Sequence, residues 1–328
     1  MNNKIKILLA MLIMALSSFT SASAQNWNLY TYISTASIAP GKAMQTLADR
    51  VKQQTDGALM LRVHLGGSLP IKATNITQAV SQGGTIQIAD DGFPYGNVPI
   101  AGILNLPMLL PTETQFEAAV KVMRPYLLKA FAKHGVKILA IYHYPQQVLW
   151  SRKKLTSFAD LDGLKIRVSS PQQAEFVKVF GGIPVTLGTP EVAPALQRGV
   201  VDGAITASTG GGIIWKDLLN YTYRLGPNYF TSFIIVNKAR FEELDPEVQK
   251  QLAAVARKVA EETTDTLRND ESSVTKKMAA GGMVVTAAKQ SDIEEGVKQL
   301  QDYWNQWAEQ QGPTAVEALK KVRAAINH

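Results

Sequence analysis

Residues 160–206, DLDGLKIRVSSPQQAEFVKVFGGIPVTLGTPEVAPALQRGVVDGAIT, decide the fold of this chain. Short apolar runs at 164–168, 183–187 and 200–205 are typical of strands that helices cover on both faces. Between these runs lie two segments that begin with a capping residue before a proline and end at a glycine, which predicts two helices. The stretch therefore predicts a β-α-β-α-β unit with a parallel sheet.

The two predicted helices begin at Ser170-Pro171 and at Thr189-Pro190. In a parallel sheet, the N-termini of such helices and the carboxyl ends of the strands face one crevice. The exposed amides and the helix dipole favour an anion at that place. The unit therefore predicts an anion-binding crevice.

Arg167 lies near the end of the first of these strands, next to the predicted crevice. An arginine in an apolar strand needs a partner, because burying an unpaired charge costs on the order of several kcal/mol or more. The carboxylate of a ligand would satisfy its planar fork in a bidentate manner. A salt bridge to a protein acid, or a strand end open to solvent, would satisfy it as well, and the spacing leaves these alternatives open.

Several stretches together resemble the solute-binding proteins of tripartite ATP-independent periplasmic (TRAP) transporters, in their dicarboxylate-type branch. They are LKIRV with Arg167, GGIPVTL, EVAPALQRG and VVDG, the early KAMQTLADRVKQQTDGALMLRVHLGGSL and the late FIIVNKARFEELDPEVQKQL. The resemblance covers nearly all of the chain after residue 24. It implies an α/β fold of the two-lobed, class II-like periplasmic-binding-protein type. Each lobe is then a mostly parallel sheet with flanking helices, and crossing strands and a long helix join the two.

In the resembled family, the arginine of the LKIRV-type strand pairs with the carboxylate of the substrate, which implies this role for Arg167. A second arginine that many members place before the crossing is absent, since that neighbourhood reads Tyr144-Pro145-Gln146-Gln147. Thr206 stands where an asparagine is common, and Thr189 stands near the place of a common aromatic residue. These departures argue against the usual sugar acids and dicarboxylates and favour a single carboxylate on an uncharged, aromatic body.

The N-terminal part predicts a second α/β lobe. Strands are expected at 28–33, 59–65 and 85–89, and helices at 42–54 and 74–82. Asp91 follows the third of these strands, at the carboxyl end where ligand residues gather in such sheets. It is a candidate to bind a cation or the hydroxyl groups of a ligand, and a solvated turn is the alternative.

A segment rich in aromatic and amide side chains, YHYPQQVLW at 142–150, comes just before the organising unit. We expect it to follow a strand at 136–142 and to form the crossing between the lobes. Tyr144, Gln146, Gln147 and Trp150 suit the wall of a ligand cavity, and a hinge that only packs is the alternative.

A triple glycine follows the organising unit, in ASTGGGIIW at 207–215. The segment lacks the patterns of a P-loop and of a dinucleotide site, so a nucleotide is not expected. Its place after the third strand predicts a loop of the cleft, with Trp215 as a candidate contact of the ligand.

The C-terminal third predicts a strand at 231–237, a helix of 35 residues from 246 to 280, and a helical tail at 292–326 with Trp304 and Trp307 in the core. A helix of this length exceeds one small lobe, and in the resembled family it runs across both. The chain is thus expected to divide into one lobe of residues 25–145 with 232–275 and another of residues 146–231 with 276–328.

Residues 1–24 combine Lys4 and Lys6, an apolar run at 7–16 and an Ala-Ser-Ala end, which predicts a cleaved signal peptide and a periplasmic location. The run is shorter than the ~20 residues of a membrane span, so the protein is not expected to be embedded in the membrane. The formal charge of +7 is spread among acids, which argues against a nucleic-acid partner. Without cysteine, neither thiol catalysis nor a thiolate metal site is available.

The expected function is that of a solute-binding protein, a monomer, that captures a small carboxylate and delivers it to the membrane subunits of a TRAP transporter. The four histidines are scattered and no hydrolase motif is present, so no enzyme activity, cofactor or metal is expected. A periplasmic lyase or isomerase on the same scaffold, or a binding protein that feeds a sensor, are the alternatives.

Overall fold

The computed structural model describes residues 24–326, which form a mixed α/β fold around one sheet. The predicted signal peptide lies outside the described residues, apart from Ala24. The strands are β1 Gln25–Thr31, β2 Leu59–His64, β3 Ile88–Asp91, β4 Val136–Ser151, β5 Lys165–Val168, β6 Ile183–Thr186, β7 Gly203–Thr206, β8 Tyr221–Asn237 and β9 Val284–Thr286.

Helices cover both faces of this sheet. They are α1 Ala39–Gln54, α2 Ile76–Gln82, α3 Glu113–Ala132, α4 Pro171–Val179, α5 Thr189–Gln197, α6 Ile213–Trp215, α7 Lys238–Glu242, α8 Pro246–Ala280, α9 Gln290–Gln311 and α10 Pro313–Ile326. Within residues 24–326, no helix is both long enough and apolar enough to span a membrane.

The sheet contains two groups of parallel strands, joined by an antiparallel pair. Its order is β2-β1-β3-β8-β4-β7-β5-β6, with β9 on the end of β8. Strands β1 to β3 are parallel to one another, as are β5 to β7, whereas β4 and β8 run antiparallel between the two groups. The α/β fold is confirmed, but its two groups share one continuous sheet where a separate sheet in each lobe was expected.

The long strands β4 and β8 explain this continuity. The sequence predicted a strand only at 136–142, and the structure continues β4 to Ser151 because it pairs with β8 along most of its length. The register shifts at several points of this pair, among them between Tyr144 and Gln147. Such irregularities bend a strand without ending it. The division into two lobes with the expected boundaries stays a prediction.

The organising unit has the predicted order β5-α4-β6-α5-β7. Helix α4 begins as expected, because the Ser170 hydroxyl accepts a hydrogen bond from the Gln173 amide at 3.2 Å. The start of α5 differs by one residue. Its N-cap is Gly188, whose amide donates to Oε2 of Glu191 at 2.7 Å, so Thr189 is the first helical residue and its hydroxyl has no capping role.

Helix α8 begins and ends at the predicted residues and packs against α1 and β4. The Asp245 carboxylate caps it by accepting from the Glu247 amide at 2.8 Å. The helical tail is broken into α9 and α10 at Gly312, whose φ of 93° is open chiefly to glycine. Trp304 and Trp307 are buried in the core, as predicted.

Candidate functional site

The carboxyl ends of both groups of parallel strands meet at a small cavity. Its volume is about 30 Å³, room for about two water molecules. Tyr32 follows β1, Phe93 follows β3, Ser169 follows β5, and Thr206 ends β7. The remaining lining residues are Ile33, Ile38, Tyr144, Gln147, Arg167, Thr189, Gly210, Gly211, Ile214, Trp215 and Phe230.

Arg167 is the one charged residue among the described lining residues, and only 4% of it is exposed. Its Nε donates to the carbonyl of Leu187 at 2.9 Å, and its Nη1 donates to the carbonyl of Ile205 at 3.4 Å. The rings of Phe93 and Trp215 lie 5.8 and 5.4 Å from its Cζ. Cation–π attraction therefore stabilises the guanidinium and adds no counter-charge.

No carboxylate within residues 24–326 forms a salt bridge with Arg167. Its low exposure also excludes a strand end open to solvent. Burial lowers the pKa of Arg167 to about 10, while the nearby Tyr32 and Glu191 oppose that change. Arg167 is therefore a buried cation at neutral pH, held by two backbone carbonyls and two aromatic rings.

Six of the nine residues singled out from the sequence line this cavity. They are Tyr144, Gln147, Arg167, Thr189, Thr206 and Trp215. Two of them also brace its wall: the Thr206 hydroxyl accepts from the Gly211 amide at 2.9 Å, and Nε2 of Gln147 donates to the carbonyl of Pro145 at 2.9 Å. The crossing segment and the organising unit thus share one site.

The structure places the other three candidates elsewhere. Gln146 is not a lining residue of the cavity, and its Nε2 donates to the carbonyl of Gly226 at 3.1 Å. Trp150 is fully buried behind the cavity and donates from Nε1 to the carbonyl of Thr206 at 2.9 Å. Asp91 is fully buried under the cavity, where it accepts from the Phe93 amide at 2.8 Å.

An aromatic cluster of Tyr32, Phe93 and Phe230 forms the wall that the sequence analysis missed. The ring centroids lie 5.3 Å apart for Tyr32 and Phe93, and about 6 Å apart for the other two pairs. The rule about carboxyl ends that selected Asp91 would have found Tyr32 and Phe93, since both follow a parallel strand. Phe230 lies inside the long strand β8, where no sequence signal marks it.

The triple-glycine segment is fixed to helix α8 by Glu271. The Glu271 carboxylate accepts from the amides of Ser208 and Thr209 and from Nη2 of Arg224, each at 2.9 Å. Burial alone would raise the pKa of Glu271, but these donors hold it below its usual value. A Cβ on Gly211 would lie 2.2 Å from the Trp215 ring, so only glycine fits there. The long helix therefore fixes one wall of the cavity.

Metal ligands are not grouped near this cavity. Within residues 24–326, no three His, Cys, Asp or Glu side chains are placed to hold a metal ion together.

Comparison with known families identifies the chain. The model of the bacterial extracellular solute-binding proteins, family 7 (DctP), matches residues 31–311. The chain belongs to this family. The resemblance to solute-binding proteins of TRAP transporters is thereby confirmed, and so is the expectation that the chain is a solute-binding protein and not an enzyme.

Relatives and solved structures of this family agree with the fold. The ectoine-binding periplasmic protein TeaA of Halomonas elongata is 26% identical over 265 residues, which are 75% of this chain and 76% of that protein. The structure of DctP7, a Bordetella pertussis extracytoplasmic solute receptor binding pyroglutamic acid, has a TM-score of 0.85 at 24% identity and covers 92% of this chain and 100% of that one. A TRAP solute-binding protein of Rhodoferax ferrireducens with copurified benzoate has a TM-score of 0.82 at 19% identity, with coverage of 92% and 98%.

The buried Asp91 predicts a dependence of stability on pH. Burial raises its pKa from the usual 3.8 to about 7, although bonds from Thr77 and Phe93 oppose the rise. Between these pH values the folded protein binds more protons than the unfolded chain, so the Asp91 contribution to the free energy of unfolding falls as pH rises. We expect Asp91→Asn to reduce this fall, as measured by chemical denaturation at pH 5 and pH 8.

The comparison between wild type and variant isolates Asp91. Asp90, with a pKa near 6, also lowers the free energy of unfolding as pH rises, whereas His143, with a pKa lowered by burial to about 4, raises it. Asp90 and His143 are present in the wild type and in the variant. Asp49→Asn, at an exposed position on α1, is the control. An unchanged difference between pH 5 and pH 8 in Asp91→Asn would show that Asp91 titrates as an ordinary carboxyl group.

Proposed function

We propose that this solute-binding protein captures a small organic acid in the cavity around Arg167 and that Arg167 clamps the carboxylate of the acid. The supporting observation is a buried guanidinium with no carboxylate partner among residues 24–326. Such a charge is costly to leave uncompensated. A ligand carboxylate supplies the missing negative charge.

The hydrogen bonds of Arg167 support this assignment. Its two carbonyl partners orient the guanidinium and leave further N–H donors unused. The rings of Phe93 and Trp215 restrict its movement. The fork is therefore held in place before an anion arrives, which reduces the entropy cost of binding.

We propose further that the protein works in the periplasm, as a monomer, after cleavage of the predicted signal peptide, and that it delivers the acid to the membrane subunits of a TRAP transporter. Membership of a family of extracellular solute-binding proteins supports this role. The predicted leader supports the location.

The two predicted lobes are proposed to open for the ligand to enter, because a cavity of about 30 Å³ is too small for an organic acid. Residues of both expected lobes line the cavity: Tyr32 and Phe93 belong to 25–145, and Arg167 belongs to 146–231. At the rim, a Cβ built on Gly188 would lie 3.1 Å from Cβ of Ala73, so the expected lobes touch there. Residues 143–150 and 226–232 are the proposed crossings about which they rotate.

Opening can be measured with spin labels, since the chain has no cysteine. For labels on Lys72→Cys and Gln197→Cys, we expect a longer distance in ligand-free protein than in protein saturated with pyroglutamate or benzoate. A pair at Lys52→Cys and Lys72→Cys, both in the first expected lobe, is the control. Equal distances in both states of the first pair would contradict hinge opening.

Arg167→Ala tests the clamp. Charge-assisted hydrogen bonds contribute about 1.5 to 3 kcal/mol each, and about 1.4 kcal/mol is tenfold in affinity. We therefore expect Arg167→Ala to weaken binding of the preferred acid about 100-fold or more. Arg167→Lys should recover only part of the loss, because lysine offers a flexible point donor in place of a fork. Calorimetric titration measures both variants.

Arg50→Ala is the matched control, because Arg50 is half-exposed and pairs with Glu262 outside the cavity. Melting of the ligand-free variants separates a clamp from a structural residue. An Arg167→Ala protein that melts lower and yet binds within threefold of wild type would show that the role of Arg167 is structural.

Monocarboxylates are expected to bind more tightly than dicarboxylates. Arg167 is the one charged residue among the described lining residues, so a second carboxylate would be buried without a partner. Thermal shift with benzoate and pyroglutamate on one side and succinate and malate on the other tests this. A larger shift with succinate or malate would refute the preference.

A further inference from the structure

A buried carboxylate lies behind the aromatic wall of the cavity. Asp90 is fully buried and accepts hydrogen bonds from Thr31 Oγ1 at 2.8 Å, from the Tyr142 hydroxyl at 3.0 Å and from the Ser232 hydroxyl. Burial raises its pKa to about 6, and these three donors limit the rise. The three hydroxyl donors favour the ionised form of Asp90, and no cation within residues 24–326 forms a salt bridge with it.

Two tyrosine hydroxyls meet at the cavity that Arg167 lines. The hydroxyls of Tyr32 and Tyr144 lie 2.8 Å apart, and both residues line the cavity. The ring of Tyr144 packs against that of Tyr142, with centroids 5.7 Å apart. Tyr144 therefore lies next to Tyr142, whose hydroxyl donates to Asp90. Burial, followed by neighbouring groups that include Asp90, raises the pKa of both tyrosines, so both remain neutral.

The charges of Asp90 and Arg167 both act on these hydroxyls. One O–H group joins Tyr32 and Tyr144, which leaves one hydrogen free to turn. The negative charge of Asp90 attracts that hydrogen, and the positive charge of Arg167 repels it. The lone pairs of the Tyr32 and Tyr144 oxygens therefore face Arg167, where the proposed ligand binds.

We propose that the Tyr32–Tyr144 pair selects acids that carry a hydrogen-bond donor, an N–H or O–H group, next to the carboxylate. The inference rests on the proposed function, because it places the carboxylate on Arg167. A donor satisfies the lone pairs of the tyrosines. An ether or ester oxygen at the same place leaves them unsatisfied and adds repulsion between acceptors.

A pair of acids of nearly the same shape tests the selection. The first is 5-oxopyrrolidine-2-carboxylate, which has a ring N–H group, and the second is 5-oxotetrahydrofuran-2-carboxylate, which has a ring oxygen. Mandelate and α-methoxyphenylacetate form a second pair. In calorimetric titrations of the ligand-free full protein, we expect the donor-bearing acid of at least one pair to bind about 10-fold more tightly or better.

Variants assign the selection to the hydroxyls. In Tyr32→Phe with Tyr144→Phe, the preference should fall to within about threefold, while binding of benzoate still depends on Arg167. Asp90→Asn should reduce the preference as well, because the amide can donate as well as accept and no longer fixes the direction of the hydroxyls. Tyr95→Phe is the matched control. It removes a buried hydroxyl that accepts from Asn105 outside the cavity, and the preference should remain.

The outcomes separate this inference from the proposed function. If wild type binds both members of each pair within threefold, or if the double phenylalanine variant keeps the preference, the inference is wrong and the clamp stands. The inference is also wrong, and the clamp still stands, if none of the four acids binds while benzoate binds through Arg167. If no carboxylate binds at all, both are overturned.

Discussion

The buried charge of Arg167 constrains the whole site. A guanidinium at this depth has to be held by neutral groups, and two backbone carbonyls and two aromatic rings do so. The carbonyls belong to Leu187, just after β6, and to Ile205 in β7, so the guanidinium is held in this way only when β5, β6 and β7 are paired in register. The parallel sheet is therefore what orients the Arg167 guanidinium.

The continuity of the sheet brings residues of β4 and β8 to the cavity that Arg167 lines. Strands β4 and β8 pass between the two parallel groups and carry Tyr144, Gln147 and Phe230 into the cavity. Both strands are paired on either side, so they cannot move freely relative to their neighbours. Flexibility between the expected lobes must then come from the irregular part of the β4–β8 pair, near Tyr144 and Gln147, where the register shifts and the ladder is weakest.

Sequence reasoning succeeded where local chemistry decides the structure. Asp245, Pro246 and the Gly281-Gly282 pair mark both ends of α8, because capping and chain reversal depend on neighbours in the sequence. Sequence reasoning failed where the position of a side chain depends on a strand far along the chain. Gln146 and Gln147 look equivalent in the sequence, yet only Gln147 lines the cavity, whereas Gln146 bonds to Gly226 in β8. The face on which each lies depends on the bulges against β8, which neither residue encodes alone. For the same reason Phe230 was missed, while Arg167 was found from its own strand.

The aromatic wall shows why a site can be more selective than its single charge suggests. Arg167 attracts any small anion, since its field does not distinguish one carboxylate from another. Asp90, which is fully buried and is not a lining residue of the cavity, adds a second charge of opposite sign. Under the proposed selection, the two charges orient the neutral hydroxyls as dipoles, and in a poorly solvated cavity such dipoles discriminate strongly between donors and acceptors. In the proposed site, attraction thus comes from the cation in the cavity, and discrimination comes from the buried anion.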